Sequence, residues 1–278
     1  MLYLRAIAIC GIDMEKVKEI IQRTKCLVLD MDGTIYLDST PIGDMINTLK
    51  ICREKGIQIY YFTNNSSKNH TEYIKKLTDI GFYDERDIVY TSAMATISYL
   101  KANYADKKVY MVATDEVKKS FIEAGINLVE DDADIVLLAY DTTLTFAKLK
   151  KANELLVKGA VYIATHPDTV CPTKDISMPD VGSFIKLLEA STFGRLPDAI
   201  IGKPNSIAGN EIVRATGLEP NQITMVGDRL YTDIMFGVNS KFNTILVFSG
   251  ETTKEILEKS DVKPSIVFDD LNEIVKYL

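Results

Sequence analysis

Short apolar runs alternate with amphipathic helical segments along most of the chain, and this alternation limits the folds open to it. The run Cys26–Leu29 is apolar at every position, which is typical of a strand covered on both faces. Segments with apolar residues at helical spacing, such as 45–52 and 73–80, lie between such runs. Strands that alternate with helices predict right-handed βαβ units around a parallel sheet. The predicted fold class is therefore α/β with a doubly wound parallel sheet.

Other apolar runs have the length of strands and are followed by turn residues or helical patterns. They lie at 57–62, 88–90, 109–113, 135–140, 161–164, 199–201, 223–226, 245–248 and 266–268. The stretch 164–183 is rich in Pro, Asp and Thr and is predicted as a long functional loop or linker.

Charge and cysteine spacing exclude some classes of protein. The formal net charge of −7 argues against a protein that binds nucleic-acid backbones, which usually carries a basic excess. Cys10, Cys26, Cys52 and Cys171 show no C-x-x-C spacing, which favours free cytosolic thiols over disulfides or a zinc site. No apolar run is long enough to span a bilayer, so we expect a cytoplasmic protein without a membrane partner. The apolar segment 2–12 is interpreted as an N-terminal extension, with Met14 as an alternative start.

Reactive side chains follow several of the predicted strands directly. They are Asp30 and Asp32, Thr63, Lys203, and Asp228 with Asp233. Alone, a D-x-D-G sequence after a strand is more often an acidic turn, and a Lys in G-K-P is more often a solvated helix start. If all these strands share one sheet, however, the residues meet at its carboxyl edge, where open α/β sheets bind ligands. Their joint occurrence predicts one site.

The strings at these strand ends resemble the motifs of the haloacid dehalogenase-like (HAD) phosphohydrolases. DMDGT at 30–34 resembles the first motif, Thr63 in FTNNSS the second, Lys203 in GKP the third and GDRLYTD at 227–233 the fourth. The resemblance extends from Lys25 to the end of the chain. The strings TNNSS, YTSAMAT, ATHPD, IGKP and GDRLYTDI are similar to subfamily IIA, which contains 4-nitrophenyl phosphatases, pyridoxal phosphatases and NagD-like nucleotidases.

The resemblance implies a Mg²⁺-dependent phosphatase that forms an aspartyl-phosphate intermediate. It makes Asp30 the nucleophile and Asp32 the general acid and base, with Thr63 and Lys203 as further catalytic residues. The expected metal ligands are Asp30, Asp228 and the backbone carbonyl of Asp32, since Mg²⁺ prefers oxygen donors. No organic cofactor is implied.

The resemblance also implies residues that bind the phosphoryl group and residues that support the site. The expected phosphate-binding residues are Gly33, Asn64, Asn65 and Lys203. Thr34 and Asp233 are expected behind them, with Asp233 acting through water or orienting Lys203.

The spacing of the motifs predicts an inserted domain. Thr63 and Lys203 lie much further apart along the chain than the loops of about 2–6 residues that connect α/β elements. The predicted organisation is a first core segment at 1–90, with its extension at 1–24, an inserted α/β domain at 91–181 and a second core segment at 182–278. The resemblance identifies the insertion as a C2-type cap on a Rossmann-like HAD core, which excludes water and selects the substrate.

The loop that returns from the insertion carries His166, Asp168 and Asp175, which are candidates for selecting the substrate. Alternatively, His166 and Asp168 only brace the hinge, and both interpretations stay open here.

The expected partners are small phosphorylated metabolites, such as 4-nitrophenyl phosphate, sugar phosphates and nucleoside monophosphates. The resemblance also allows a homodimer and includes no nucleic-acid partner. Two alternative functions use the same fold: a phosphotransferase, and a non-catalytic regulatory protein that binds a phosphometabolite. The complete set of motif residues favours catalysis.

Overall fold

The computed structural model describes residues 14–67, 70–171 and 176–278. It forms two compact units, which we name the core unit and the inserted unit. Among these described residues, the core unit comprises those up to Thr63, Tyr73–Tyr90 and Pro204–Leu278, and the inserted unit comprises those within Asn64–Glu72 and Thr91–Lys203. The segment 1–13 and the candidate Asp175 lie outside the described residues, so the predictions for them stay predictions.

Each predicted apolar run contains a strand, and most of these strands are buried along most of their length. In chain order the strands are β1 (Cys26–Leu29), β2 (Tyr36–Leu37), β3 (Thr40–Pro41), β4 (Gln58–Thr63), β5 (Ile88–Thr91), β6 (Val109–Val112), β7 (Ile135–Leu138), β8 (Val161–Ala164), β9 (Val170–Cys171), β10 (Met178–Pro179), β11 (Ala199–Ile200), β12 (Ile223–Gly227), β13 (Asn243–Val247) and β14 (Ile266–Phe268). Four short strands, β2, β3, β9 and β10, lie outside the predicted runs.

The helices separate these strands as the periodicity predicts. They are α1 (Met14–Arg23), α2 (Met45–Glu54), α3 (His70–Ile80), α4 (Ser92–Asn103), α5 (Asp115–Glu123), α6 (Phe146–Val157), α7 (Val181–Ser191), α8 (Ile207–Thr216), α9 (Met235–Asn239) and α10 (Lys254–Lys259). Several helices begin at a capping side chain: the Thr91 and Thr145 hydroxyls accept hydrogen bonds from the first turns of α4 and α6. Short 3₁₀ segments cover Pro220–Gln222 and Leu271–Tyr277, and a π-helical turn covers Leu230–Ile234.

The core unit contains a six-stranded sheet in the order β14-β13-β12-β1-β4-β5. Strand β1 lies near its centre and pairs in parallel with β12 on one side and β4 on the other. All four residues of β1 and all five of β12 are buried, as expected for a sheet with both faces covered. The strand order reverses between β1 and β12, so the carboxyl ends of these two strands form the topological switch point of the sheet.

The inserted unit has its own four-stranded parallel sheet in the order β11-β8-β7-β6. Its hydrophobic core joins these strands to α6 and α7, with Leu155, Phe184 and Leu188 among the buried side chains. A small antiparallel pair, β9 with β10, lies within the stretch that was predicted as a loop.

The position of β11 corrects one expectation. The strand before Lys203 was expected in the core sheet, yet Ala199 and Ile200 pair with Ile163 and Ala164 of β8. The inserted unit consequently extends to Lys203 instead of ending at residue 181. Short apolar strands look alike in sequence, so the local pattern could not reveal which sheet β11 would join.

Two further features concern thiols and membranes. Cys26, Cys52 and Cys171 are free thiols, as predicted, whereas Cys10 lies outside the described residues. Within the described part of the chain, no helix combines the length and apolar character that a membrane span requires.

Candidate active site

Three carboxylates meet at the switch point of the core sheet. Asp30 follows β1 directly, and Asp228 follows its neighbour β12. With Asp233 they offer carboxylate oxygens that all lie within 4.8 Å of one another. Asp228 and Asp233 are buried, while Asp30 is partly exposed. Parallel pairing of β1 with β12 brings these residues together although about 200 positions separate them in the chain.

The Asp228 carboxylate is held from several sides. Its Oδ2 accepts a hydrogen bond of 2.7 Å from the Glu251 N–H, and its Oδ1 accepts one of 3.4 Å from the Thr34 hydroxyl. Two glycines provide the space for this carboxylate because they have no Cβ. A Cβ at Gly33 would lie 2.7 Å from the Asp228 Oδ2, and a Cβ at Gly250 would lie 2.0 Å from the same atom. Thr34 thus contacts a predicted metal ligand, and Gly33 borders it.

Asp233 reaches the cluster from the π-helical turn Leu230–Ile234. Turns of this kind are rare and occur frequently at functional sites, because the wider turn redirects a side chain. The Asp233 Oδ2 accepts a hydrogen bond of 3.2 Å from the Arg229 N–H. A Cβ at Gly227 would lie 2.2 Å from the Asp233 Cβ, so glycine is needed at the end of β12.

The carboxylates repel one another, and this repulsion adds to the effect of burial on the pKa of Asp228. Burial raises the pKa of Asp228 to about 6, with a further rise from Asp30 and an opposing effect from the Glu251 N–H and Arg229. Asp32 is exposed, yet partial desolvation still raises the pKa of its carboxyl group, which the Lys76 ammonium opposes and Asp30 reinforces. Crowded carboxylates of this kind need a cation or a proton to coexist.

The donor set fits a divalent metal ion that prefers oxygen ligands. Asp30, Asp228 and Asp233 provide hard carboxylate oxygens within one small space, which suits Mg²⁺ better than a soft metal. The Asp32 side chain is not one of the three carboxylates of this cluster. The Asp233 carboxylate lies within the cluster itself, and the expectation that it acts through water or orients Lys203 stays a prediction.

The second predicted motif lies at the end of β4, the other neighbour of β1. Thr63 is the last residue of that strand and is partly buried. The Asn65 Oδ1 accepts hydrogen bonds from the Ser67 N–H and hydroxyl at 3.0 and 2.8 Å. Its side-chain oxygen therefore shapes the local turn.

In the inserted unit, Asn64 and Lys203 are bonded to each other. The Lys203 N–H donates to the Asn64 Oδ1 at 2.9 Å, and the Asn64 Nδ2 donates to the Lys203 carbonyl at 2.9 Å. Asn64 Nδ2 also reaches the Asp168 carboxylate at 3.1 and 3.3 Å. Asp168, a predicted substrate-selecting residue, thus bonds to a residue of the second motif.

His166 is fully buried within the inserted unit. Its Nε2 lies 3.0 Å from the Asp180 Oδ1, and its Nδ1 lies 3.0 Å from the Thr165 hydroxyl. Because both ring nitrogens have protein partners and no surface is exposed, the bracing interpretation of His166 is favoured.

Three contributors to the site were not predicted. The Ser249 hydroxyl donates to the Gly33 carbonyl at 2.7 Å, Gly250 borders Asp228, and the Glu251 carboxylate lies 3.0 Å from the Arg229 guanidinium as an ion pair. The partly buried Arg229 guanidinium opposes the rise in the pKa of Asp228 and of Asp32. A usable signal existed, because S-G-E follows closely after the predicted strand at 245–248, just as the recognised motifs follow theirs.

Comparisons with known proteins agree with this geometry. A family model described as haloacid dehalogenase-like hydrolase matches residues 27–127, and a second HAD-like hydrolase model matches residues 200–274. An acid sugar phosphatase of Staphylococcus saprophyticus is 34% identical over 255 residues, which cover 91% of this chain and 98% of the relative. The chain belongs to the haloacid dehalogenase-like hydrolases.

Other members of this family show the same full-length likeness. A 5′-nucleotidase of Bacillus subtilis is 30% identical, with 91% of this chain and 98% of the relative covered. A 4-nitrophenylphosphatase from Thermotoga maritima, whose crystal structure is known, has 41% sequence identity to this chain. The two structures superpose with a TM-score of 0.88, and the match covers 92% of this chain and 98% of that chain. The predicted family, subfamily IIA likeness and α/β core with an inserted cap domain are confirmed. The predicted enzyme class is confirmed as well: this HAD protein is a phosphomonoesterase.

Proposed function

We propose that the protein is a Mg²⁺-dependent phosphatase that hydrolyses small phosphorylated metabolites through an aspartyl-phosphate on Asp30. The observation that carries this proposal is the cluster of Asp30, Asp228 and Asp233 at the switch point of the sheet, with Asp32 two residues from the nucleophile. Sugar phosphates, nucleoside monophosphates and 4-nitrophenyl phosphate are the proposed substrates, in line with the names of the relatives.

The reaction proceeds in two displacements. An Asp30 carboxylate oxygen attacks phosphorus, the bond to the ester oxygen breaks, and Asp32 gives the departing oxygen its proton. Asp32, now ionised, takes a proton from water, whose oxygen attacks phosphorus and releases inorganic phosphate from Asp30. Dividing one difficult step into two easier ones is the benefit of the covalent intermediate.

The remaining residues would bind the metal ion and the charged phosphoryl group. Asp30, Asp228 and the Asp32 backbone carbonyl would hold Mg²⁺, with Asp233 beside them. Bound Mg²⁺ offsets the repulsion between carboxylates and phosphate. Thr63, Asn64 and Asn65 would donate hydrogen bonds to phosphoryl oxygens, and Lys203 would add a fixed ammonium. Gly33, also an expected phosphate-binding residue, donates its N–H to the Tyr36 carbonyl at 2.8 Å and therefore offers the phosphoryl group no donor.

The first experiment is the Asp30→Asn variant, assayed with 4-nitrophenyl phosphate and Mg²⁺. Removing the nucleophile while keeping its shape should reduce kcat to background. Asp261→Asn is a matched control, since Asp261 is an exposed aspartate of the core unit, and it should keep wild-type turnover. Undiminished activity in Asp30→Asn would refute the mechanism.

A phosphotransferase on the same fold is distinguished by its product. Hydrolysis releases one inorganic phosphate per nitrophenol in the presence of excess sugar, whereas transfer would release less phosphate than nitrophenol. A chelator should abolish turnover, and added Mg²⁺ should restore it.

A further inference from the structure

One carboxamide in the inserted unit bonds to both backbone groups of a single lysine. The Lys203 N–H donates to the Asn64 Oδ1 and the Lys203 carbonyl accepts from the Asn64 Nδ2, each at 2.9 Å. Both residues are buried, with exposed fractions of 6% for Asn64 and 2% for Lys203. The pattern imitates a strand neighbour, so the side chain of Asn64 fixes the backbone of Lys203 just beyond the end of β11.

Asp168 determines which way this amide faces. Both of its carboxylate oxygens lie within 3.3 Å of the Asn64 Nδ2. A carboxylate only accepts hydrogen bonds, so the Nδ2 must face it. The reversed amide would place its oxygen against the carboxylate and against the Lys203 carbonyl, leaving three acceptors without donors. Asp168 thereby reinforces the amide orientation that the N–H and carbonyl of Lys203 also require.

The backbone of Asp168 is itself held in place. Its carbonyl accepts a hydrogen bond of 2.8 Å from the Gly182 N–H in the first turn of α7. A Cβ at Gly182 would lie 2.2 Å from the Pro167 carbonyl oxygen, so only glycine allows this approach. The carboxylate is therefore presented from a rigid element, which makes it suitable for orienting another group.

The backbone just before Lys203 also approaches the Asn64 side chain closely. A Cβ at Gly202 would lie 2.5 Å from the Asn64 Oδ1 and 2.9 Å from the Thr165 carbonyl oxygen. Glycine before the lysine is what lets the amide reach the Lys203 backbone. We call the set Asn64, Asp168 and Lys203 the amide clamp.

We propose that Asp168 is a positioning residue, which acts through Asn64 to hold Lys203 where its ammonium meets the transferring phosphoryl group. This inference rests on the proposed function, in which Lys203 binds that group. The backbone of Lys203 sets the point from which its side chain extends, and a displacement of about 1 Å at a reacting centre can cost about 10² in rate. Asp168 had been a candidate for selecting the substrate, and the clamp gives its carboxylate a different role.

The test compares Asp168→Ala, Asp168→Asn, Asn64→Ala and Lys203→Ala with wild type, using 4-nitrophenyl phosphate, a sugar phosphate and a nucleoside monophosphate. Asp168→Ala and Asn64→Ala should each lower kcat by about 10- to 100-fold on all three substrates, with their ranking by KM unchanged. Asp168→Asn retains an acceptor oxygen and should recover most of kcat. In the Lys203→Ala background, Asp168→Ala should lower kcat little further, because the effects of residues that act as one unit are not additive.

Asp198→Ala is the matched control for a purely structural effect. Asp198 precedes β11 at its opposite end, where its Oδ2 accepts from the Tyr162 N–H at 2.8 Å. This variant should lose stability without the large fall in kcat.

Four results would overturn the inference. A substrate-dependent change of KM with normal kcat in Asp168→Ala would assign the residue to substrate selection, and a lower Tm with normal kcat would assign it to bracing. An inactive Lys203→Ala beside a fully active Asp168→Ala would also refute it while sparing the proposed function. Full activity of Lys203→Ala would instead refute the role of Lys203 in the proposed function, and the inference with it.

Discussion

At the scale of single residues, the space around Asp228 determines which substitutions its neighbours can accept. Gly33 has a φ of +84° and a virtual Cβ 2.7 Å from the Asp228 Oδ2. Two separate requirements thus converge on this glycine: a left-handed backbone and a close approach. Only the second concerns the chemistry of the site.

The two requirements can be separated with matched alanine substitutions. Gly56 has a φ of +78° in the same core unit, and nothing lies within 4 Å of its virtual Cβ. Gly33→Ala and Gly56→Ala should both lose about 1–2 kcal/mol of unfolding free energy through backbone strain. Only Gly33→Ala should also reduce phosphatase activity, because it displaces the carboxylate. Urea unfolding measures the stability of the two variants, and turnover of 4-nitrophenyl phosphate measures their activity. Equal activity in the two variants would contradict the role of Gly33 in leaving space for the Asp228 carboxylate.

At the scale of elements, the start of α7 is joined to the carboxyl end of β8 by buried polar groups. Asp180 caps the helix by accepting from the Val181 N–H at 2.6 Å, and the same oxygen faces the His166 Nε2 at 3.0 Å. The Ser66 hydroxyl lies 2.9 Å from the Thr165 hydroxyl and accepts from the Tyr140 N–H at 2.8 Å. The network holds the turn after β8 beside the segment that follows Thr63.

We expect His166→Leu to act on stability and not on substrate choice. It leaves polar partners of the ring buried without a bond, which should cost about 1–3 kcal/mol in urea unfolding. The ranking of phosphomonoesters by KM should stay as in wild type. Asp180→Asn keeps a capping oxygen and should cost less. A changed substrate ranking at normal stability would restore His166 as a substrate-selecting residue.

At the scale of the whole molecule, the core unit is assembled from three separate chain segments around the acidic cluster. In the metal-free protein, burial and Asp30 raise the pKa of Asp228 to about 6. A raised pKa favours the protonated acid in the folded state. The stability contributed by Asp228 is thus present at low pH and is lost as the pH rises through about 6.

Mg²⁺ should reverse this pH dependence, since it binds the ionised carboxylates. At about pH 7.5 and 100 times Kd, Mg²⁺ should add about 2.7 kcal/mol to the unfolding free energy. At about pH 5 the proton competes for Asp228, and the gain should shrink. Thermal unfolding with Mg²⁺ or chelator at the two pH values measures both effects, and hydrogen exchange should locate the gain in peptides of β1 and β12.

Two variants serve as controls for the Mg²⁺ experiment. Asp228→Asn should lose the Mg²⁺ effect at both pH values, whereas the exposed Asp261→Asn should retain it. A Mg²⁺ gain that is equal at the two pH values, or that is confined to peptides of β6 and β7, would speak against the cluster as the metal site.

Local patterns were sufficient for much of this protein. The apolar runs predicted the strands because parallel strands are buried on both faces, and β1 begins and ends at the predicted residues. The residues after the strands predicted a shared site because the carboxyl ends of parallel strands converge at one edge, and the resemblance of their motif strings indicated the family.

Other features could be known only from the folded chain, because they depend on residues distant in sequence. The pairing of β11 with β8 and the complete burial of His166 are of this kind. Asp168 illustrates the difference most clearly. A carboxylate in a polar loop predicts a group that meets solvent or substrate, but its contact with Asn64, 104 positions away, turns it toward the backbone of Lys203.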